Sequence, residues 1–561
     1  MKKHYYLLPA LALGLASCSD ADLNNQNPDQ SDLGSSEIVS NLNTVRLSTF
    51  GGDPNRITYG AGTRAEGDDE NAPKTLELLA SIANPSKGEG FDYPQQEGGR
   101  YLSATSVFYD ARENKYYATY HMQGNNYNTD LENEIGGAIQ WFTVDDNGLV
   151  DLGTGFRAAD PGKQDFDFNH IYFDVTSNRI VTVGHVWDLP KTWTSEDPFT
   201  GERNNTHAII GEMKSDGTFT YATISTGEKM IDPVTNQSLG DEDAGDANCV
   251  IRAGDTNDFS LTAGWNFYYV ATRKGLAVVR AEEDHLFEPA VDNNGKNFFV
   301  KTPGSAKHVA KTGTTSYFKL LYLAEDKDNN SYSQHSKAKI AQFATNTAAG
   351  NTFGSLQGQH SPFNRFDPST SIIDFYDQVD LEEYEISPID GKNTIIANPG
   401  NNSHDDEMYA ALGTGGMFYQ FNGINTFTQY RNVLKFKGEN GYLPVNCVTA
   451  DVASMESGHE GFIYVACGAR LIILHRGTFD VVAYWNIPTK DQNGDYLENV
   501  GASANYIHVE KGPAKDDRSP RERIITVAYG QEGLKVFRFN PATLDAFTVR
   551  EKELPSEIVC K

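Results

Sequence analysis

Three histidines are the first candidates for chemistry. His121 and His185 end two strand-like runs at matching places, and His170 opens the run that precedes His185. Imidazoles gathered at one place could hold a transition metal. No tight ligand spacing accompanies them, so no metal is assigned and hydrogen-bonding rim residues are expected. A second set recurs along the chain, a polar pair ahead of a β-branched residue. The instances are Thr105-Ser106-Val107, Asn169-His170-Ile171, Asn248-Cys249-Val250, Lys307-His308-Val309, Asn393-Thr394-Ile395, Asn446-Cys447-Val448 and Asn505-Tyr506-Ile507. Such pairs either satisfy backbone groups between neighbouring units or form a polar funnel for a ligand. Arg273, in a tight turn, belongs with the funnel residues.

Other chemistry is thinner. Asp491, Asn493, Asp495 and Glu498 place oxygens at alternating positions, as do Asp326, Asp328 and Asn330. Neither run completes a calcium loop, so plain turns are expected and Ca²⁺ is the one ion suggested. Cys447 and Cys467 flank a hairpin symmetrically, which admits either a disulfide or two buried thiols. The chain shows no G-x-S-x-G elbow, phosphate loop, H-E-x-x-H or Cys–His nucleophile pair.

What must position these residues is a repeated hairpin. Phe267 to Arg280 reads FYYVATRKGLAVVR: strand formers, a tight turn with Gly275, strand formers again. Tyr409 to Phe421, Ile463 to Leu474 and Ile525 to Phe537 repeat that grammar. Repetition of this kind predicts an array of β units. Seven units are expected from about Tyr101 onward, each leading with one of the polar pairs. Turn signals such as Asp146-Asn147-Gly148 and Ser215-Asp216-Gly217 separate the strands. A closed ring hides the strand edges that an open row would expose. Either Leu76 to Ile82 or Phe547 to Glu553 would supply its last outer strand. Three long insertions, Met122 to Ile135, Val186 to Asn205 and Glu325 to Lys337, would open on one mouth. They carry Tyr127, Trp187, Trp193 and Tyr332, side chains suited to sugars or peptides.

At the N-terminus, Lys2 and Lys3 precede an apolar run from Tyr5 to Ala16 that ends Leu15-Ala16-Ser17-Cys18. This pattern is a secretory signal, too short to span a bilayer as a stable helix. Residues 18–73 are polar and without period, which predicts a flexible tether ahead of a β domain over 74–561. The formal net charge of -29 argues against nucleic acid, since phosphate binding needs a basic face.

Two resemblances follow from these residues. Leu15-Ala16-Ser17-Cys18 resembles the lipobox of bacterial lipoproteins, which implies cleavage after residues 1–17 and acylation of Cys18. Asp20 and Asp22 loosely resemble the export signal of surface-exposed lipoproteins. Tyr269-Val270-Ala271 to Gly275-Leu276-Ala277-Val278-Val279 and Val527-Ala528 to Gly533-Leu534-Lys535-Val536 resemble LVIVD-type, and more loosely YVTN-type, repeats of β-propellers. That resemblance implies fold and no single activity. The expectation is an all-β, seven-bladed propeller, lipid-anchored in the envelope and at the outer membrane. It would bind a glycan, peptide or protein partner, without catalysis, through Asn169, His170, His185, His121, Asn248, Arg273, His308, Asn446, Asn505 and Trp187. The alternative is an extracytoplasmic glycan hydrolase or lyase using the three histidines and acidic loop residues.

Overall fold

A computed structural model describes strands and their turns between residues 42 and 560. The main intervals outside the described residues are 1–41, 61–74, 86–100, 124–136, 189–205, 253–265, 327–336, 347–371, 374–393, 398–407, 451–460, 488–501 and 545–553. The lipobox, the calcium-like runs apart from Asp326, most of the three insertions and Phe547 to Glu553 fall in them.

The hairpin grammar becomes antiparallel pairing. Asn266–Thr272 runs against Gly275–Ala281, with Thr272 opposite Gly275 and Asn266 opposite Ala281. The Thr272 hydroxyl donates to the Gly275 carbonyl at 2.8 Å and closes the turn. At the predicted Asp146-Asn147-Gly148 turn, Gly148 takes φ 84°. The Asp145 carboxylate there accepts from the amides of Asn147 and Leu149 at 2.9 and 2.7 Å, a local bond that favours turn over ladder.

Among the described residues the strands fall into successive antiparallel groups, the first and the last joined in one ten-stranded sheet. Their leading strands are Tyr101–Asp110, Gln164–Asp174, Ala247–Arg252, Ala306–Thr314, Ile395–Ala397, Val445–Ala450 and Ala502–Lys511. Each leading strand contacts the next, and the last contacts the first. The leading strands therefore line a common axis and the groups are blades of a propeller. Closure comes from the start of the chain. Leu76–Ile82 pairs with Leu534–Phe539 as the outer strand of the seventh blade, so residues far apart in sequence share one sheet and no edge remains open there.

Blade faces pack on blade faces. Val181, Val183, Ala208 and Ile210 of the second blade are buried with Val250, Tyr268, Val270 and Val279 of the third. The same face-to-face burial joins the sixth and seventh blades through Tyr464, Ile473, Ile525 and Val527. Each such side chain contributes about 1.5–3 kcal/mol on leaving water, and the alternation along each strand fixes the register.

Two findings depart from the sequence reading, and a third decides between its alternatives. First, residues 42–60 of the expected tether are structured. Leu42–Arg46 adds to the second blade, Ser48–Phe50 to the first, and Ile57–Tyr59 to the closing strand. These strands cover outer edges. Phe50 lies over Gly155, where an added Cβ would meet its ring at 2.0 Å. The segment's apolar residues are too few and too scattered to show a period. Arg56 is buried and donates to the Ala83 carbonyl and the Gln140 side chain, both at 2.8 Å. Second, a hairpin of Ser225–Ile231 with Ser238–Asp243 stands between the second and third blades; its charged sequence hid it. Third, Cys447 and Cys467 form no disulfide. Cys447 opposes Ala466, and Cys467 opposes Val445. Cys447 packs with the sixth and seventh blades, whereas Cys467 packs with the fifth and sixth. Their thiols thus sit on opposite faces of one sheet, beyond bonding geometry.

Candidate functional site

The polar pairs owe their placement to a β-bulge. In the second blade Val183 opposes His170 and Gly184 opposes Phe168, so Asn169 is the extra residue. The register skips Asn248, Lys307, Asn446 and Thr105 in the same way. A bulge bends its strand and re-aims a side chain. Gly184 is required beside the bulge, since a Cβ there would lie 1.8 Å from the Asp167 carbonyl.

The re-aimed side chains tie each blade to the next. Asn169 Nδ2 donates to the Ala247 carbonyl at 3.1 Å, Asn248 to that of Ala306 at 2.7 Å, and Asn446 to that of Ala504 at 3.0 Å. Thr105 does the same to Phe168 at 2.9 Å. In every case the acceptor lies two residues before the second member of the next polar pair. Asn505 is fully buried with both amide atoms unpartnered among the described residues. At that seam Asn84 takes over, its Nδ2 lying 2.6 Å from the Leu102 carbonyl and 3.0 Å from that of Gly530. Asn169, Asn248 and Asn446, expected as a funnel, therefore spend their amides on the ring.

The second members of the pairs face the axis and bond one blade further on. Ser106 Oγ accepts from the Ile171 amide at 3.1 Å, His170 Nδ1 from Val250 at 3.3 Å, and Thr394 Oγ1 from Val448 at 2.6 Å. On its other side His170 Nε2 lies 3.3 Å from the Tyr506 hydroxyl. The His170 ring also stands 6.3 Å from that of His308, centroid to centroid. These side chains narrow the channel at this level.

The remaining histidines meet at the mouth where leading strands begin and second strands end. His121 pairs in register with Ser103, and His185 with Asp167. Their rings lie 5.8 Å apart. Asp167 stands between them, 3.2 Å from His185 Nε2 and 3.6 Å from His121 Nδ1. Asp246 reaches His185 Nδ1 at 3.0 Å and also accepts from Asn169 at 2.7 Å. Burial alone would push His185 down. The Asp246 charge and the bonds to Asp167 and Asp246 overcome this and raise it to about 10. His185 is therefore an imidazolium at neutral pH, clasped by two carboxylates. Asp246 keeps 28% side-chain exposure and His121 14%, so both face solvent in part. Arg273, exposed on the adjoining turn, donates its backbone amide to the Asp246 carbonyl at 2.7 Å.

A different pair marks the other end of the axis. Burial holds His508 down at about 4 and raises Glu510 to about 7. With His508 neutral at pH 7, their 3.9 Å approach is not an ion pair.

The structure brings His121 and His185 together as the sequence suggests, and separates His170 from them into the channel with His308. The Trp187 backbone continues strand Arg179–Asp188, and its side chain lies outside the described residues. Sequence reasoning missed Asp167 and Asp246. Asp167 carries a signal in retrospect, a carboxylate within the strand Asp165-Phe166-Asp167-Phe168.

No family model matches the chain, and no curated protein matches it. Among solved structures it is similar to the Cps50 (Swd1) β-propeller domain of Myceliophteria thermophila, at 8% identity and TM-score 0.35, over 79% of this chain and 99% of that one. It is also similar to a candidate 6-phosphogluconolactonase of Bacteroides uniformis, at 10% identity and TM-score 0.36, over 79% and 97%. At these values the propeller rests on the strand pairing described above.

Proposed function

We propose that the chain is a lipid-anchored envelope protein whose propeller binds a ligand at the His185 mouth without transforming it. The observation that carries this is the pair of carboxylates against the His185 ring. Both its ring nitrogens are engaged by carboxylates, and its proton is held far above neutral pH. A general acid or base works best when it titrates near the operating pH. His185 instead supplies a fixed charge array, and the partly exposed Asp246, His121 and Arg273 offer donors and acceptors to a polar glycan or peptide. The anchor rests on Lys2, Lys3, the apolar run and Cys18, and the LVIVD-like reading on the hairpin phrases.

A second reading, an extracytoplasmic hydrolase or lyase, is favoured by the same convergence of carboxylates and imidazoles. One experiment separates them. Thermal shift of the mature chain against a glycan and peptide panel finds the ligand by mass action. Recovery of that ligand unaltered, with the shift lost in Arg273→Ala or His121→Ala, supports binding. Time-dependent product that disappears in Asp246→Asn supports the enzyme. Palmitate labelling that persists in Cys18→Ser would refute the anchor.

A further inference from the structure

We propose that the channel itself holds a metal site, made by His170, Cys249 and His308, for one ion of the zinc class. These residues are the second members of the polar pairs in three successive blades. Their ligating atoms all lie within 4.8 Å of one another. His170 and Cys249 are buried and His308 is partly buried, so the cluster faces the channel and not bulk water. At the same position the first and fifth blades carry Ser106 and Thr394, whose hydroxyls bond to the next blade. Two imidazoles and a thiol in one cluster form a donor set that zinc-class ions prefer over calcium or magnesium.

The geometry fits with small movements. Bonds of about 2.0–2.3 Å set ligand atoms roughly 3.3–3.8 Å apart around a tetrahedral ion. Closing from at most 4.8 Å needs about 1.5 Å or less per pair, within the reach of side-chain rotation. The His170 ring is already oriented. Its Nδ1 turns toward Val250, the neighbour of Cys249, at 3.3 Å. Its Nε2 turns to the Tyr506 hydroxyl at 3.3 Å. Nδ1 is then the metal ligand. It gives up one long bond to a backbone amide, and Nε2–H donates to Tyr506. A hydrogen bond on the far nitrogen is the usual means of fixing the tautomer of a ligating histidine. Cys249 forms no disulfide, and its Sγ lies 3.9 Å from the Val309 carbonyl. On binding, its S–H proton leaves to solvent and the sulfur lone pair joins the metal, so affinity falls as pH falls.

The site differs from the His185 mouth in every residue, so either proposal can fail alone. The mature chain, stripped by chelator, is titrated with cobalt(II) and then with zinc(II). A single equivalent of cobalt is expected, with an ultraviolet absorption from sulfur-to-cobalt charge transfer, and zinc displaces it. Cys249→Ser should abolish that absorption. His308→Gln should weaken cobalt binding at least tenfold, since even outer-shell losses cost about that much. Cys447→Ser, at the matching position of the sixth blade, should change neither. The proposal is overturned if the unaltered chain shows no sulfur-to-cobalt absorption, if zinc fails to remove it, or if it survives in Cys249→Ser. The first two results need no variant, so a folding defect in a substituted chain cannot rescue the idea.

Discussion

The clasp on His185 makes stability depend on pH in a definite direction. The folded chain keeps a proton on His185 up to about pH 10, whereas the unfolded chain releases it near pH 6.5. The folded state thus binds more protons between those values, and rising pH favours unfolding. The stabilisation is complete below about pH 6.5 and vanishes toward pH 10. Its size follows from the gap between 6.5 and about 10, which at 1.36 kcal/mol per pH unit is roughly 5 kcal/mol. Breaking one partner of a buried ion pair costs a similar amount, about 3–5 kcal/mol. His185→Gln removes the charge and keeps an amide between Asp167 and Asp246. For a ring of this length the unfolding entropy is about 1 kcal/mol/K, taken at roughly 2.1 cal/mol/K per residue. The variant should therefore melt roughly 3–5 °C below the unaltered chain at pH 6. The gap should shrink steadily with pH and close near pH 10. Paired melts at pH 6, 7, 8, 9 and 10 measure it. A gap that stays constant across that range, or widens, refutes an imidazolium held between two carboxylates.

The repeat was legible because its hairpins are local. Strand formers on both sides of Gly275 or Gly533 specify a pair of strands whatever surrounds them. The ring's closing strand was legible only as two alternatives, since Leu76–Ile82 meets Leu534–Phe539 across most of the chain and no local signal encodes such a pairing. The bulge was not legible at all. Asn169 shows in the sequence as an asparagine before a histidine, and only the skipped register turns its amide toward Ala247. That one irregularity decides the fate of the pair: the first residue builds the ring, and the second is left to the channel. Likewise His185 was visible as a candidate, but its protonation depends on Asp246, which arrives from the end of a charged hairpin that the sequence pattern did not reveal.

Two further tests bear on the ring. Reductant should leave the melting temperature of the unaltered chain unchanged, because Cys447 and Cys467 occupy opposite sheet faces as thiols; a drop of several degrees would show a bond between them. Asn446→Ala deletes the donor to the Ala504 carbonyl at 3.0 Å and to Ser503 Oγ at 2.8 Å. A buried carbonyl left without its donor costs about 1–3 kcal/mol. Asn505→Ala provides the comparison, since that amide has no partner among the described residues and its truncation abandons no acceptor. Both sites are buried and lose the same atoms, so packing losses cancel to first order and the difference reports the blade-to-blade bond. Denaturant unfolding should place Asn446→Ala at least about 1 kcal/mol below Asn505→Ala. Equal costs, or the reverse order, would mean that the amides do not hold adjacent blades together, and a polar funnel would again be the better account of these asparagines.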